Sequence, residues 1–223
     1  MVRFLLLAVL LLAAPRPGHA QTEQQSVVDR ATLTIQGMMG QQEGRDARQL
    51  MSRARGVLVC PQVFQAGFIL GGKGGNCVLS GKLARGWSAP SFYDLSSGSI
   101  GLQVGVQDSE VMLIVLTDRG LQALIDDQFQ FGGTAGVSFA TYGTGVSGGI
   151  TTALKADIVA FSRSRGLFAG LSLDGSFLSV KSRWNALYYG RPVASQQLVL
   201  QGEGQNPGAA PLQEMLTRLG QPG

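Results

Sequence analysis

Between Gly56 and Lys181 glycine recurs so often, among apolar runs so short, that no long helix can form there. Runs such as "VLVC", "VFQAGFIL" and "NCVLSGK" are strand-like, separated by Pro61 and by "GGKGG", Gly71 to Gly75, which reads as a loop. In "SRSRGLFAGLSLDGS", Ser162 to Ser176, alternate positions Leu167, Ala169, Leu171 and Leu173 suit a strand with one buried face. The other parity, Phe168, Gly170, Ser172 and Asp174, is mostly small, and Arg163 and Arg165 precede it on one side. A strand glycine has nothing to pack and marks a bulge, a bend or a close backbone approach. Strands built this way coil strongly, and architecture is the favoured reading of any single glycine.

Helices flank this region. Thr22 with Gln25 reads as a capping box, and Val27, Val28, Ala31, Ile35 and Met38 then share one side of a helix. A second amphipathic helix is expected over 45–55, with Ala47, Leu50, Met51 and Ala54 inward and Arg45, Arg48 and Arg53 outward, Arg55 at its boundary. "GSIGLQVGVQ" and "SEVMLIVLT" suggest a hairpin turning near Gln107–Asp108, and Asp118 a cap for a helix through Leu121, Leu124 and Ile125. "SRWNALYYG" predicts helical turns with Trp184, Leu187 and Tyr188 on one side, stopped by Gly190. The expectation is an α+β domain: a strongly curved, barrel-like antiparallel β-sheet of many short glycine-rich strands, flanked by N-terminal and short C-terminal helices.

The first twenty residues read as a signal peptide, with Arg3, the apolar run Phe4 to Ala14 and the small-residue cleavage site "GHA" before Gln21. Expected boundaries are therefore 1–20 for the leader and 21–190 for the domain, with helices over 22–55 and a sheet-rich core over 56–190. A polar linker and short helix would occupy 191–223. Periplasmic or secreted localisation follows from the leader. Its removal takes Arg3 and Arg16 and leaves 16 basic against 14 acidic residues, too mild a surplus for a nucleic-acid binder. It also takes His19, the only histidine, and with it Ser-His-Asp chemistry and histidine-ligated metal sites. Cys60 and Cys77 read either as one disulfide or as two separate buried thiols.

Three motif lookalikes carry no chemistry. "GVSGG" has no histidine to activate Ser147, although a pairing of Ser147 with Lys155 is conceivable. "GTGVSG" precedes a strand pattern rather than a helix, and "GGKGG" lacks the phosphate-loop spacing. No enzyme and no cofactor emerge. The basic clusters say more: Arg45, Arg48, Arg53 and Arg55 on one helix suit an anionic surface, and Lys181 and Arg183 could approach Arg163 and Arg165 across a hairpin. Lys73 inside "GGKGG" could sit beside free backbone N–H groups as an anion nest.

Several blocks then resemble the SYLF domain family. "ARGVLVCPQVFQAGFILGGKGGNCVL" (Ala54 to Leu79) is similar to its opening block, and "GWSAPSFYDLSSGSIGLQVG" (Gly86 to Gly105) to the next. "SRSRGLFAGLSLDGS" and "NALYYG" (Asn185 to Gly190) resemble its most distinctive block and its closing turn. The resemblance implies binding of phosphoinositides or other acidic phospholipids, actin bundling in some eukaryotic members, and no catalysis. Arg55 matches a basic family position. An exported chain would not meet cytoplasmic actin, so the expected partner is an acidic phospholipid surface such as phosphatidylglycerol or cardiolipin. The alternative is a structural or protein-interaction module with an envelope protein as partner. A small outer-membrane barrel is a third possibility, disfavoured by 7% aromatic content and a helical end.

Overall fold

The computed structural model describes residues 23–40, 45–67, 70–100, 105–126, 129–132, 136–141, 145–146, 155–166, 173 and 175–221. The leader, Thr22, Ser147 and most of Leu167 to Asp174 lie outside these residues, as do the side chains of Arg45 and Arg165.

The chain opens with α1 (Glu23–Met39) and α2 (Arg45–Met51). Ten strands follow: β1 (Gly56–Gly67), β2 (Leu70–Leu83), β3 (Gly86–Trp87), β4 (Ser91–Ile100), β5 (Gly105–Val115), β6 (Phe129–Gln130), β7 (Val137–Thr141), β8 (Gly145–Val146), β9 (Ile158–Gly166) and β10 (Phe177–Val180). Helix α3 (Asp118–Ile125) interrupts them, and α4 (Ser182–Tyr189), α5 (Ser195–Val199) and α6 (Ala210–Leu219) close the chain. The strands form one sheet in the order β6-β10-β4-β2-β1-β5-β9-β7-β8, with β3 beside β2. Every pairing is antiparallel except β7 with β9, and the sheet curls into a half-barrel. The architecture is the expected α+β one, with this single parallel pair.

Alternation along the strands buries both faces. Val57, Val59, Val78, Phe92, Met112, Ile114, Val159 and Phe161 pack under α1, α2, α4 and α6. Leu58, Cys60, Cys77, Leu79, Tyr93, Leu113 and Ile158 point the other way, against α3 and α5. A membrane barrel would turn one of these faces to lipid. Here helices pack on both faces.

Glycine serves this layering where backbones approach. A Cβ on Gly81 would lie 2.3 Å from the Val199 carbonyl oxygen, and one on Gly75 would lie 2.2 Å from that of Gln62. Gly190, at φ 68°, ends α4 in the left-handed conformation that favours glycine. Buried Asn185 pins α4 to the sheet: its Oδ1 accepts from the Phe92 N–H at 2.9 Å, and its Nδ2 donates to Ser91 Oγ at 3.1 Å.

Several expectations change. Gln107–Asp108 is no turn: both residues lie within β5, and β2 and β1 separate β4 from β5. Gly71 to Gly75 is strand rather than loop, paired with β1 on one side and β4 on the other. Thr117, one residue before Asp118, caps α3 by accepting from the Gly120 N–H. Leu187 is 62% exposed, while Asn185 takes the inward place. Residues 191–210, expected as a polar linker, include α5, whose Leu198 and Val199 are fully buried. Helix α6 packs on α1 through Leu212 and Leu216, which join the core beneath α1.

Candidate functional site: a basic cleft where β1 begins

Helix α2 ends at Met51, and the turn after it carries Arg53 and Arg55 into the first residue of β1. Ala54, buried between them, holds this turn on the core. The Arg55 N–H donates to the Val115 carbonyl at 2.7 Å, and the Arg55 carbonyl accepts from the Lys82 N–H at 2.8 Å. The backbone thus fixes Arg55 between the end of β5 and the end of β2. Arg53, Arg55 and Lys82, with Ser52, Ala54 and Leu116, line a cleft of about 410 Å³.

Arg55 meets Asp118 at 3.5 Å, an exposed pair worth little in water. Arg53 and Lys82 form no ion pair among the described residues, so the cleft keeps a positive surplus. Lys82 Nζ lies 5.1 Å from the centre of the Trp87 ring, a cation–π contact that holds the ammonium at the rim. A neighbouring cleft of about 570 Å³ adds Arg85 and Arg218, against Glu214. Such an arrangement can hold an anion by charge and hydrogen bonding.

Of the expected basic residues whose side chains are described, only Arg53 and Arg55 come together here. Arg48 turns back and donates to the Met39 carbonyl. Arg163 pairs with Glu110 beneath α1, where both side chains are less than a quarter exposed, so it supports the fold rather than the surface. A Cβ on Gly37, in the last turn of that helix, would lie 3.1 Å from the Arg163 guanidinium. Arg165 follows on β9, in register with Asp108. Lys181 and Arg183 do not meet them: four strands, β4, β2, β1 and β5, separate β10 from β9 along the sheet. Lys181 Nζ instead donates to Asn76 Oδ1 at 2.7 Å and sits 3.5 Å from the Trp184 ring centre. Arg183 is exposed on α4. The expected nest at Lys73 is overturned, because pairing of β2 on both sides engages the backbone groups a nest needs.

Lys82 was not visible as a site residue in the sequence, since its place beside Arg55 depends on strand pairing. Cys60 and Cys77 are joined in a disulfide between β1 and β2, where the ladder is broken by a bulge between Val59 and Phe64.

Comparison with known proteins supplies the family. The Ysc84 profile, described as "Las17-binding protein actin regulator", matches residues 96–219, more than half of the chain. The SH3 domain-containing YSC84-like protein 1 of Rattus norvegicus is 28% identical over 169 residues, 75% of this chain and 49% of the relative. The Xenopus laevis protein of that name is 30% identical over 156 residues, covering 69% and 46%. Protein YSC84 of Saccharomyces cerevisiae is 30% identical over 165 residues, covering 72% and 35%. The chain thus spans half or less of the length of these relatives. No solved structure matches. With the match running from β4 through α6, the chain belongs to the Ysc84, or SYLF, family.

Proposed function

We propose that this chain is a non-enzymatic lipid-binding protein of the cell envelope that associates peripherally with acidic phospholipids. The observation that carries this reading is the basic cleft, where Arg53 and Lys82 stand without a carboxylate partner among the described residues. Each basic residue near an anionic membrane surface contributes roughly 1 kcal/mol, so three to five cations at this end give weak, salt-sensitive attachment. Arg55 lines the same cleft, and Arg85 and Arg218 line the one beside it, which Lys82 joins through its contact with the Trp87 ring. The leader-like residues 1–20 support export, and an exported chain does not meet cytoplasmic actin.

Sedimentation with phosphatidylglycerol vesicles tests the reading. The exported chain is expected to pellet at low salt, and the triple variant Arg53→Glu, Arg55→Glu, Lys82→Glu to stay in the supernatant. Equal sedimentation of both would remove the cleft from the account.

A second reading is a protein-interaction module, favoured by the family description, which names binding to Las17. Capture of an envelope protein together with indifference to vesicles in dilute buffer would select it.

A further inference from the structure

A second feature lies beyond α1, toward the opposite end of the sheet from the basic cleft. Phe64 and Phe177 are 50% and 42% exposed although both lie on well-paired strands. Register places them in one row: Phe177 opposite Ser96, Ser96 opposite Gly74, Gly74 opposite Phe64. Two aromatic walls thus stand three strand spacings apart, roughly 14 Å. The next row of the floor pairs Gly98 with Gly72.

These glycines differ from those in the core. At Gly75 and Gly81 a Cβ would collide with a backbone carbonyl. At Gly98 it would meet nothing within 4 Å, and at Gly72 and Gly74 only a carbonyl oxygen at 3.6 and 3.5 Å. Among the described residues, none fills the space they leave.

Where the groove reaches α1 it deepens into a cavity of about 270 Å³ that includes Val27, Arg30, Gln62, Phe64 and Asn76. Arg30 donates to Gln62 Oε1 at 3.1 Å and to the Ser26 carbonyl at 3.3 Å, and Lys181 to Asn76 Oδ1. Both cations are held by neutral oxygens, and neither forms an ion pair among the described residues. Asp94 shares this face through its register with Asn76, yet it reaches neither cation as an ion pair. Apolar walls, a floor of Gly72, Gly74, Gly98 and the small Ser96, and two cations without an ion pair among the described residues at the closed end complement an alkyl chain carrying an anionic head.

We infer that this groove binds a single-chain anionic amphiphile, its chain between Phe64 and Phe177 and its head at Arg30 and Lys181. This site goes beyond the basic cleft and works independently of it.

Calorimetric titration of the full chain with dodecanoate tests the inference, with dodecanol and acetate as separate arms. Dodecanoate is expected to bind one to one and acetate not at all. Gly74→Leu fills the floor and is expected to weaken dodecanoate at least tenfold; Gly98→Leu, at the open position, provides the same test should the first variant fail to fold. Arg30→Gln with Lys181→Gln is expected to weaken dodecanoate several-fold and leave dodecanol unchanged. No dodecanoate binding by the parent chain, or equal binding by a folded floor variant, overturns the inference. The Arg53, Arg55, Lys82 triple variant separates the two sites: it should lose vesicles and keep dodecanoate.

Discussion

Asp157 shows how much one side chain can organise. Its carboxylate is buried and accepts from the Arg119 guanidinium, from Thr117 Oγ1 at 2.7 Å and from the Gly136 N–H at 3.0 Å. The bond from Arg119 is the main reason its pKa falls from 3.8 to about 2, and burial opposes the shift. A depressed carboxylate pKa contributes stability that is present above the unfolded value and lost as pH falls from about 4 toward 2. A fall of this size corresponds to at most about 2.5 kcal/mol. Asp157→Asn is therefore expected to lower the urea midpoint at pH 7 and to flatten the acid limb of the stability profile. Glycines provide a matched contrast at the same scale. Gly75→Ala, aimed at the Gln62 carbonyl, is expected to cost about 1–3 kcal/mol. Gly98→Ala, facing open space, should be neutral or stabilise by up to about 1 kcal/mol. Thermal melts of the two variants check both. Arg163 illustrates what a single letter conceals. Its neighbours in sequence suggest a cationic strand face, but Glu110 stands opposite it across the β5–β9 ladder. Arg163→Ala is expected to destabilise by roughly 1–3 kcal/mol and to leave vesicle sedimentation unchanged.

Among the elements, the disulfide sits where the β1–β2 ladder is interrupted. Between Val59 and Phe64 the ladder of β1 to β2 is interrupted, and Cys60–Cys77 spans that gap with a sequence separation of 17. A cross-link closing a loop of this length stabilises by about 3 kcal/mol through the unfolded chain. The double variant Cys60→Ser, Cys77→Ser is expected to lose about that much in chemical denaturation while keeping the far-ultraviolet circular dichroism of the native sheet. Helix α1 was legible because its buried residues repeat at the helical period, and Val27, Val28, Ala31, Ile35 and Met38 all face the core. The β4–β5 connection was misread because Gln107, Asp108 and Ser109 look like turn residues. Within the sheet, Gln107 and Ser109 are buried and hydrogen-bonded to each other at 2.8 Å, and Asp108 points outward. Polarity marks a turn only where the backbone also leaves the ladder.

For the whole molecule, charge and apolar exposure sit apart. Arg53, Arg55 and Lys82 gather where β1 begins and β2 ends, whereas Phe64 and Phe177 lie beyond α1 on the far part of the sheet. Peripheral attachment through the first group should weaken steeply between about 50 and 200 mM salt, since screening shortens the Debye length. Dodecanoate binding through the second should vary far less, because most of its contact is apolar burial. Salt series on both ligands check this difference. What the order of residues decided by itself is the α+β plan: period and glycine density dictate which segments pleat and which coil, and these are local properties of the backbone. Which cations meet was decided by the tertiary structure alone. Strand order put Lys82 beside Arg55 and kept Lys181 four strands from Arg163, and neighbourhood across a sheet depends on pairings that no local period encodes.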